Sequence, residues 1–325
     1  MTPLAPVTLV CLGEALVDLV AEDKGVALQD AVRFVRAAGG APANVAVGAA
    51  RLGVRAGFVG KVGADAFGDH LEASLRGAGV DTSRMRRDPM HRTGLAFVSL
   101  AADGEREFLF YRHPSADQFL APEELDDDYL AAATVLHLGT LSLVGGPARE
   151  ASLHALRVAG AARALRSLDV NLRLDAWPGP RQARAGALAA LAQCEVVKVS
   201  LDELDFLAGG TGTAEAASLL REATRLLVVT HGAAGASYHL PDGRHGHVPG
   251  FGVEALDTTG AGDAFVAGLL AGLAQDAAAL AEPAALRPLL RRANACGALA
   301  TLRLGAIPAL PTAAELGSFL SVHGA

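Results

Sequence analysis

The residues from Leu256 to Phe265 read Leu-Asp-Thr-Thr-Gly-Ala-Gly-Asp-Ala-Phe and combine a seat for an anion with a carboxylate. Thr258 and Thr259, both able to cap a helix, precede small residues, an acid and the apolar run Ala264 to Leu273. The pattern predicts a helix starting near Gly260, with free N–H groups and a positive dipole end that suit phosphate. Gly260 and Gly262 have no side chain, so a phosphoryl group can come close to the backbone. Asp263 falls in the first turn, where the dipole is expected to lower its pKa and keep it ionised. A carboxylate beside a phosphate is repulsive, but useful if it takes the proton from a hydroxyl that attacks phosphorus. Two other readings compete. One is a plain capped strand-to-helix turn with an acid in its first turn. The other is a dinucleotide fingerprint, opposed by Phe265 at the third-glycine position and by the string's place near the C-terminus.

The chain has 325 residues, 51% apolar and 19% charged, enough for a large core and unlike a disordered chain. Its formal net charge is −7, from 28 Lys and Arg against 35 Asp and Glu. That balance argues against nucleic-acid or anionic-membrane partners. Lysine occurs only at Lys24, Lys61 and Lys198. Cys11, Cys194 and Cys296 are an odd number at no metal-ligand spacing, and read as buried small apolar residues in a reducing compartment. No basic leader opens the chain, Glu14 and Asp18 interrupt its first apolar stretch, and no apolar run reaches spanning length. The expectation is a soluble, cytoplasmic protein.

The elements that position the chemistry alternate. Thr8 to Leu12, Gly57 to Val62, Thr134 to Leu138, Ser167 to Val170, Val196 to Val199 and Leu226 to Thr230 read as short strands. Asp65 to Arg76, Pro147 to Leu165, Gln182 to Ala192 and Thr213 to Thr224 read as helices. Such alternation predicts an α/β fold, a parallel sheet covered by helices on both faces, with ligands beyond the carboxyl ends of its strands. One region departs from it. Gly94 to Leu100 and Glu105 to Arg112 flank an Asp103-Gly104 turn, a β-hairpin placed either over the active-site edge or as an antiparallel extension. Its second arm puts Glu107, Leu109 and Tyr111 on one face and Arg106, Phe108, Phe110 and Arg112 on the other. Asp126 to Asp128 and Arg84 to Arg87 read as solvated surface.

Gly39-Gly40-Ala41-Pro42-Ala43-Asn44-Val45-Ala46 opens a helix that runs to Leu52-Gly53, and Gly57 to Asp69 forms a second glycine-rich segment. With Leu256 to Phe265 and Asn294 to Leu299, these resemble the ribokinase-like (PfkB) family of carbohydrate kinases over nearly the whole chain. Phe110 to Asp117 and Asp169-Val170-Asn171-Leu172-Arg173, followed by Trp177, most resemble fructokinases. The resemblance implies a single ribokinase-like domain over 1–325, a doubly wound, mostly parallel sheet, with a small β-sheet lid from segments 14–38 and 92–113. It also implies ATP-dependent transfer of a phosphoryl group to the 6-hydroxyl of fructose, with Mg²⁺. A phosphate loop of the glycine-x4-glycine-lysine type is absent.

Roles follow from that resemblance position by position. Asp263 is the base, and Gly260, Ala261 and Gly262 form the anion hole for the migrating phosphoryl. Asp18, Gly39, Gly40 and Asn44 hold the sugar, the carboxylate and amide serving adjacent hydroxyls. Arg112 reaches from the lid to the substrate, and Arg173 to the substrate or the phosphates. Asn171, Lys198, Thr230, Gly232, Gly235 and Asn294 bind ATP. Glu203 orients Mg²⁺ through water, although Ser200 stands where the family's broader pattern has asparagine. Asp257 and Thr259 match a monovalent-cation (K⁺) site of some members. His231 reads as a loop histidine rather than a base. Rival functions are a kinase of 2-keto-3-deoxygluconate, whose carboxylate Arg112 and Arg173 can clamp, a sugar-binding regulator, and a nicotinamide-dependent dehydrogenase. The outer face of the hairpin is a candidate surface for a homodimer.

Overall fold

Short, β-branched strands and alanine-rich helices sort into two sheets, the larger covered by helices on both faces. The computed structural model describes residues 7–23, 25–100 and 106–323. The large sheet holds β1 (Leu9–Leu12), β4 (Ala56–Gly63), β5 (Asp81–Asp88), β8 (Val135–Gly139), β9 (Leu165–Asp169), β10 (Val196–Ser200), β11 (Leu226–Thr230), β12 (Gly235–His239) and β13 (His245–Pro249). The small sheet holds β2 (Leu16–Ala21), β3 (Phe34–Gly39), β6 (Leu95–Leu100) and β7 (Arg106–Tyr111).

The nine strands lie in the order β13-β12-β11-β10-β9-β8-β1-β4-β5. Pairing is parallel from β11 through β5 and antiparallel among β11, β12 and β13. All six expected strands are present in this sheet. Two helices stop short of their expected ends. The helix starting at Gly146 ends at Ala161, the chain reverses at Arg163 with φ +61, and Leu165 already opens β9. The helix from Thr213 ends at Leu219. The hairpin is half of the small sheet, whose order is β3-β2-β6-β7. Its Asp103-Gly104 turn lies outside the described residues. Leu109 and Tyr111 are exposed and Arg112 is buried, which matches the expected alternation.

Of the charged clusters, Asp127 and Asp128 are exposed, as expected, while Asp126 and the arginines are half-buried and partnered: Arg84 Nε donates to Asp126 Oδ2 at 2.8 Å, and Arg86 Nε to the Glu124 carbonyl at 2.8 Å. Arg87 Nε donates to Glu72 at 3.2 Å. Three of these groups belong to β5, the edge strand, where basic side chains oppose pairing with another sheet.

Each face of the large sheet has its own core. On one face the helix Ala261–Gln275 is apolar on all sides, because it is sandwiched between the helices Ala41–Arg51 and Pro283–Ala300. Glycines admit these neighbours: a Cβ on Gly48 would lie 2.6 Å from Ala267, and one on Gly268 would lie 2.8 Å from Cys296. All three cysteines are free and buried, as expected. Among the described residues, no helix is long and apolar enough to cross a membrane.

Candidate active site

Many of the groups expected from sequence lie around the start of the Ala261–Gln275 helix: Asn44, Asp18, Lys198 and Arg173 through Asp263, and Thr230, Gly232, Gly235 and Asn294 through a shared cleft. Gly260 caps that helix with φ +75, a left-handed conformation that favours glycine, and a Cβ there would lie 2.9 Å from Ala306. The helix leaves its first-turn N–H groups without intrahelical acceptors. Ala261 N turns back to the Thr258 carbonyl at 3.3 Å, so the outward donors of the predicted anion hole are those of Gly262 and Asp263.

Asp263 is 9% exposed, and Asn44 Nδ2 donates to its Oδ2 at 2.7 Å. Its pKa is not lowered, as the dipole argument predicts, but raised to about 6. Burial is the main cause; the Asn44 bond, Lys198 and Arg173 favour the charged form, while Asp169 opposes it. A carboxylate with that pKa is still mostly ionised at neutral pH.

Lys198, on β10, extends to the same helix start. Its Nζ lies 3.0 Å from Asp169 Oδ1, and a Cβ at Gly262 would sit 3.6 Å from Nζ. Burial alone favours neutral lysine, but Asp169, Glu203 and Asp263 raise its pKa and keep it charged. Asp169, the last residue of β9, was given no role in the sequence reading; an acid at the carboxyl end of a parallel strand was the signal available.

Asp18, on β2, stands opposite the core. A Cβ at Gly39 would meet its carboxylate, so a side chain there requires Asp18 to move aside. Burial raises Asp18 to about 7, the Asp263 charge adds to this, and Arg173 opposes it. Asp18, Asp263 and Arg173 thus share one electrostatic neighbourhood. Gly40, with φ +105, is the only residue between β3 and the helix that carries Asn44. Asn44 Oδ1 is buried without a partner, an acceptor suited to a ligand hydroxyl.

Arg112 does not point freely at the site. Its Nε donates to Asp117 Oδ2 at 2.6 Å, an Nη joins the same oxygen, and the two residues are 4% and 5% exposed. Glu14 is a second acid the sequence reading missed. It is buried, its Oε1 accepts from Ala41 N at 3.2 Å, and burial raises it to about 7.

Thr230, Gly232, Gly235 and Asn294 line one cleft of about 250 Å³, together with Ala261, Gly262, Phe265 and Gly297. Four of the six residues expected to bind ATP therefore share a cleft with the helix start, while Asn171 and Lys198 do not line it. Asn294 Nδ2 bonds the carbonyls of Val248 and Pro249 at 3.0 and 3.1 Å, leaving its Oδ1 for a ligand. His231 is turned away, with Nε2 2.8 Å from Ser237 Oγ. Asn171 adopts φ +37, and Arg173 Nη1 donates to the Leu172 carbonyl at 3.2 Å. Glu203 accepts from Leu172 N and Ser200 N, both at 2.7 Å, and so joins the loop after β9 to the end of β10. Asp257 accepts from Thr259 N at 2.9 Å and from Gly305 N at 2.8 Å.

A buried carboxylate held by an amide, a glycine-lined helix start, a charged lysine and an adjoining cleft are an arrangement suited to phosphoryl transfer. The chain belongs to the pfkB family of carbohydrate kinases, whose model matches residues 8–313. Among curated relatives it is 49% identical over 314 residues to probable fructokinase-4 of Arabidopsis thaliana, covering 96% of each chain. A fructokinase from Xylella fastidiosa with bound ATP superposes with a TM-score of 0.90 at 38% identity, over 97% of this chain and 98% of that one. A fructokinase from Vibrio cholerae with fructose, ADP and calcium gives 0.86 at 36% identity, over 97% of this chain and 99% of that one.

Proposed function

We propose that this protein is a fructokinase, transferring the γ-phosphoryl of ATP to the 6-hydroxyl of D-fructose. The observation that carries the reading is the Asn44–Asp263 bond beside a glycine-lined helix start that opens onto the nucleotide cleft. Fructose and nucleotide in the related structures support the substrate pair.

Asp18, the free Oδ1 of Asn44 and the backbone at Gly39 and Gly40 orient the sugar, with Arg112 and Arg173 at its margins. Asp263 takes the proton as the 6-hydroxyl oxygen bonds to the γ-phosphorus and the bond to the ADP oxygen breaks. The N–H groups of Gly262 and Asp263, at the Gly260–Gly262 turn, and the Lys198 ammonium meet the charge that builds on the equatorial oxygens. Thr230, Gly232, Gly235 and Asn294 hold the nucleoside, and Asn171 lies at the phosphates. The small sheet closes over the sugar and keeps water from competing as acceptor.

Glu203 would meet, through water, a Mg²⁺ brought in with ATP, and the ion would supply neutralisation of phosphate charge. Asp257 and Thr259 brace the loop beside Gly305, and their carboxylate and hydroxyl suit K⁺. The exposed Leu109 and Tyr111, on one face of the small sheet, suit a homodimer contact. A cytoplasmic enzyme without nucleic-acid or membrane partners fits the acidic charge balance.

The test is coupled ADP release with ATP and Mg²⁺ across fructose, 2-keto-3-deoxygluconate, ribose and glucose. A kcat/KM at least about tenfold higher for fructose, roughly 1.4 kcal/mol in transition-state binding, supports the reading. Preference for the keto acid overturns the substrate while keeping the Asp263 role.

A further inference from the structure

Arg112, expected at the substrate and placed just beyond the last strand of the small sheet, is neutralised within its own segment. Asp18 lies opposite Ala96, and Ala96 opposite Phe110, so these three share a face. Arg112, two residues beyond Phe110, continues that face two strands from Asp18, about 10 Å across the sheet. A free guanidinium there would suit a planar carboxylate. Asp117 already occupies it through Nε and an Nη, and Ser115 Oγ donates to the other Asp117 oxygen at 2.6 Å. Arginine, aspartate and serine are all at most 5% exposed. Pulling Arg112 onto a ligand would strand Asp117 as a buried, unpaired charge, a costly state. Glu14 lies close enough to feel both charges, and its Oε2 is buried with no partner, so Asp117 is not the sole acid near Arg112.

We propose that Asp117 determines specificity for a neutral ketose over a sugar acid, by saturating Arg112 and withdrawing it from substrate carboxylates. This rests on the fructokinase reading. With Arg112 engaged, an acidic sugar meets Asp18 and Asp263 with Arg173 as the one remaining cation among the groups placed at the sugar. Asp117 acts through Arg112 and is a positioning residue.

The experiment compares kcat/KM for fructose and 2-keto-3-deoxygluconate in the wild type, Asp117→Asn and Asp117→Glu. Asp117→Asn keeps the shape but removes the charge. The fructose-to-keto-acid ratio is expected to fall at least about tenfold, because the keto-acid constant rises in absolute terms and its KM falls. Asp117→Glu retains the charge and is expected to restore much of the fructose preference. Equal losses on both substrates in Asp117→Asn would mark a purely structural residue and overturn the proposal. Should that variant fail to fold, Ser115→Ala decides. It loosens Asp117 without stranding a charge and must move the ratio in the same direction, so an unchanged ratio refutes the proposal. A wild type that already prefers the keto acid defeats the fructose reading itself. A wild type that prefers fructose, with variants that leave the ratio unmoved, defeats only the role of Asp117.

Discussion

Asn44 and Asp263 stand 219 residues apart in sequence and meet through a 2.7 Å hydrogen bond from amide nitrogen to carboxylate oxygen. The proposed proton acceptor is therefore tied directly to the helix proposed to hold the sugar.

Replacing the base should separate binding from chemistry. Asp263→Asn is expected to reduce kcat by about 10²–10⁴ while fructose still binds, as read by calorimetry alongside turnover. Turnover within tenfold of wild type would assign the proton to another group.

The acid limb of kcat/KM should fall between pH 6 and 7, because Asp18 at about 7 and Asp263 at about 6 titrate as interacting acids in the free enzyme. Activity drops as pH falls through that window, since the base must be ionised. Asn44→Ala removes a bond that favours the ionised form. Its limb should move to higher pH, with kcat/KM at pH 8 down about ten- to a hundredfold, the range of a lost bond to a charged group. A limb that stays in place would show that Asp263 does not set it.

Asp18 trades stability for binding. Its pKa rises on folding from 3.8 to about 7, so the folded state binds more protons than the unfolded state near neutrality. Stability is thus fully present below about pH 4 and is lost as pH rises toward 7, by up to about 4 kcal/mol. Asp18→Asn should bind fructose poorly yet melt at a higher temperature, with the gain widening from pH 5 to pH 8. A gain independent of pH would point to packing instead.

Lys198 and Asp169 should behave as a buried pair. Lys198→Met strands Asp169 and is expected to cost about 3–5 kcal/mol of stability. Adding Asp169→Asn should restore most of the stability without restoring turnover, as measured by a double-mutant cycle of melting and kcat. Recovery of both would remove Lys198 from the transition-state site.

Much of this was legible because local signals agreed with the global fold. The alternation of β-branched runs and helical patterns placed six strands of the large sheet, and Gly260 to Asp263 located the helix start within a residue. Signals that depend on distant neighbours were not legible. The dipole argument gave Asp263 the wrong pKa direction because its burial comes from packing that first-turn residues do not encode. The helix ending at Ala161 is shorter than its pattern suggests because Gly160 lies inside its last turn and the positive φ falls on Arg163, a non-glycine residue that gives no sequence signal. Asp169 and Asp117 were both within quoted motifs, yet their partners, Lys198 and Arg112, became visible only in three dimensions.

Gly40 joins β3 to the Asn44 helix as a single link with φ +105, pressed against the Glu14 backbone, which a Cβ would approach to 2.4 Å. One residue thus sets how the strand beside Asp18 meets the helix that carries Asn44, and no side chain can enter that joint unless the Glu14 carbonyl moves.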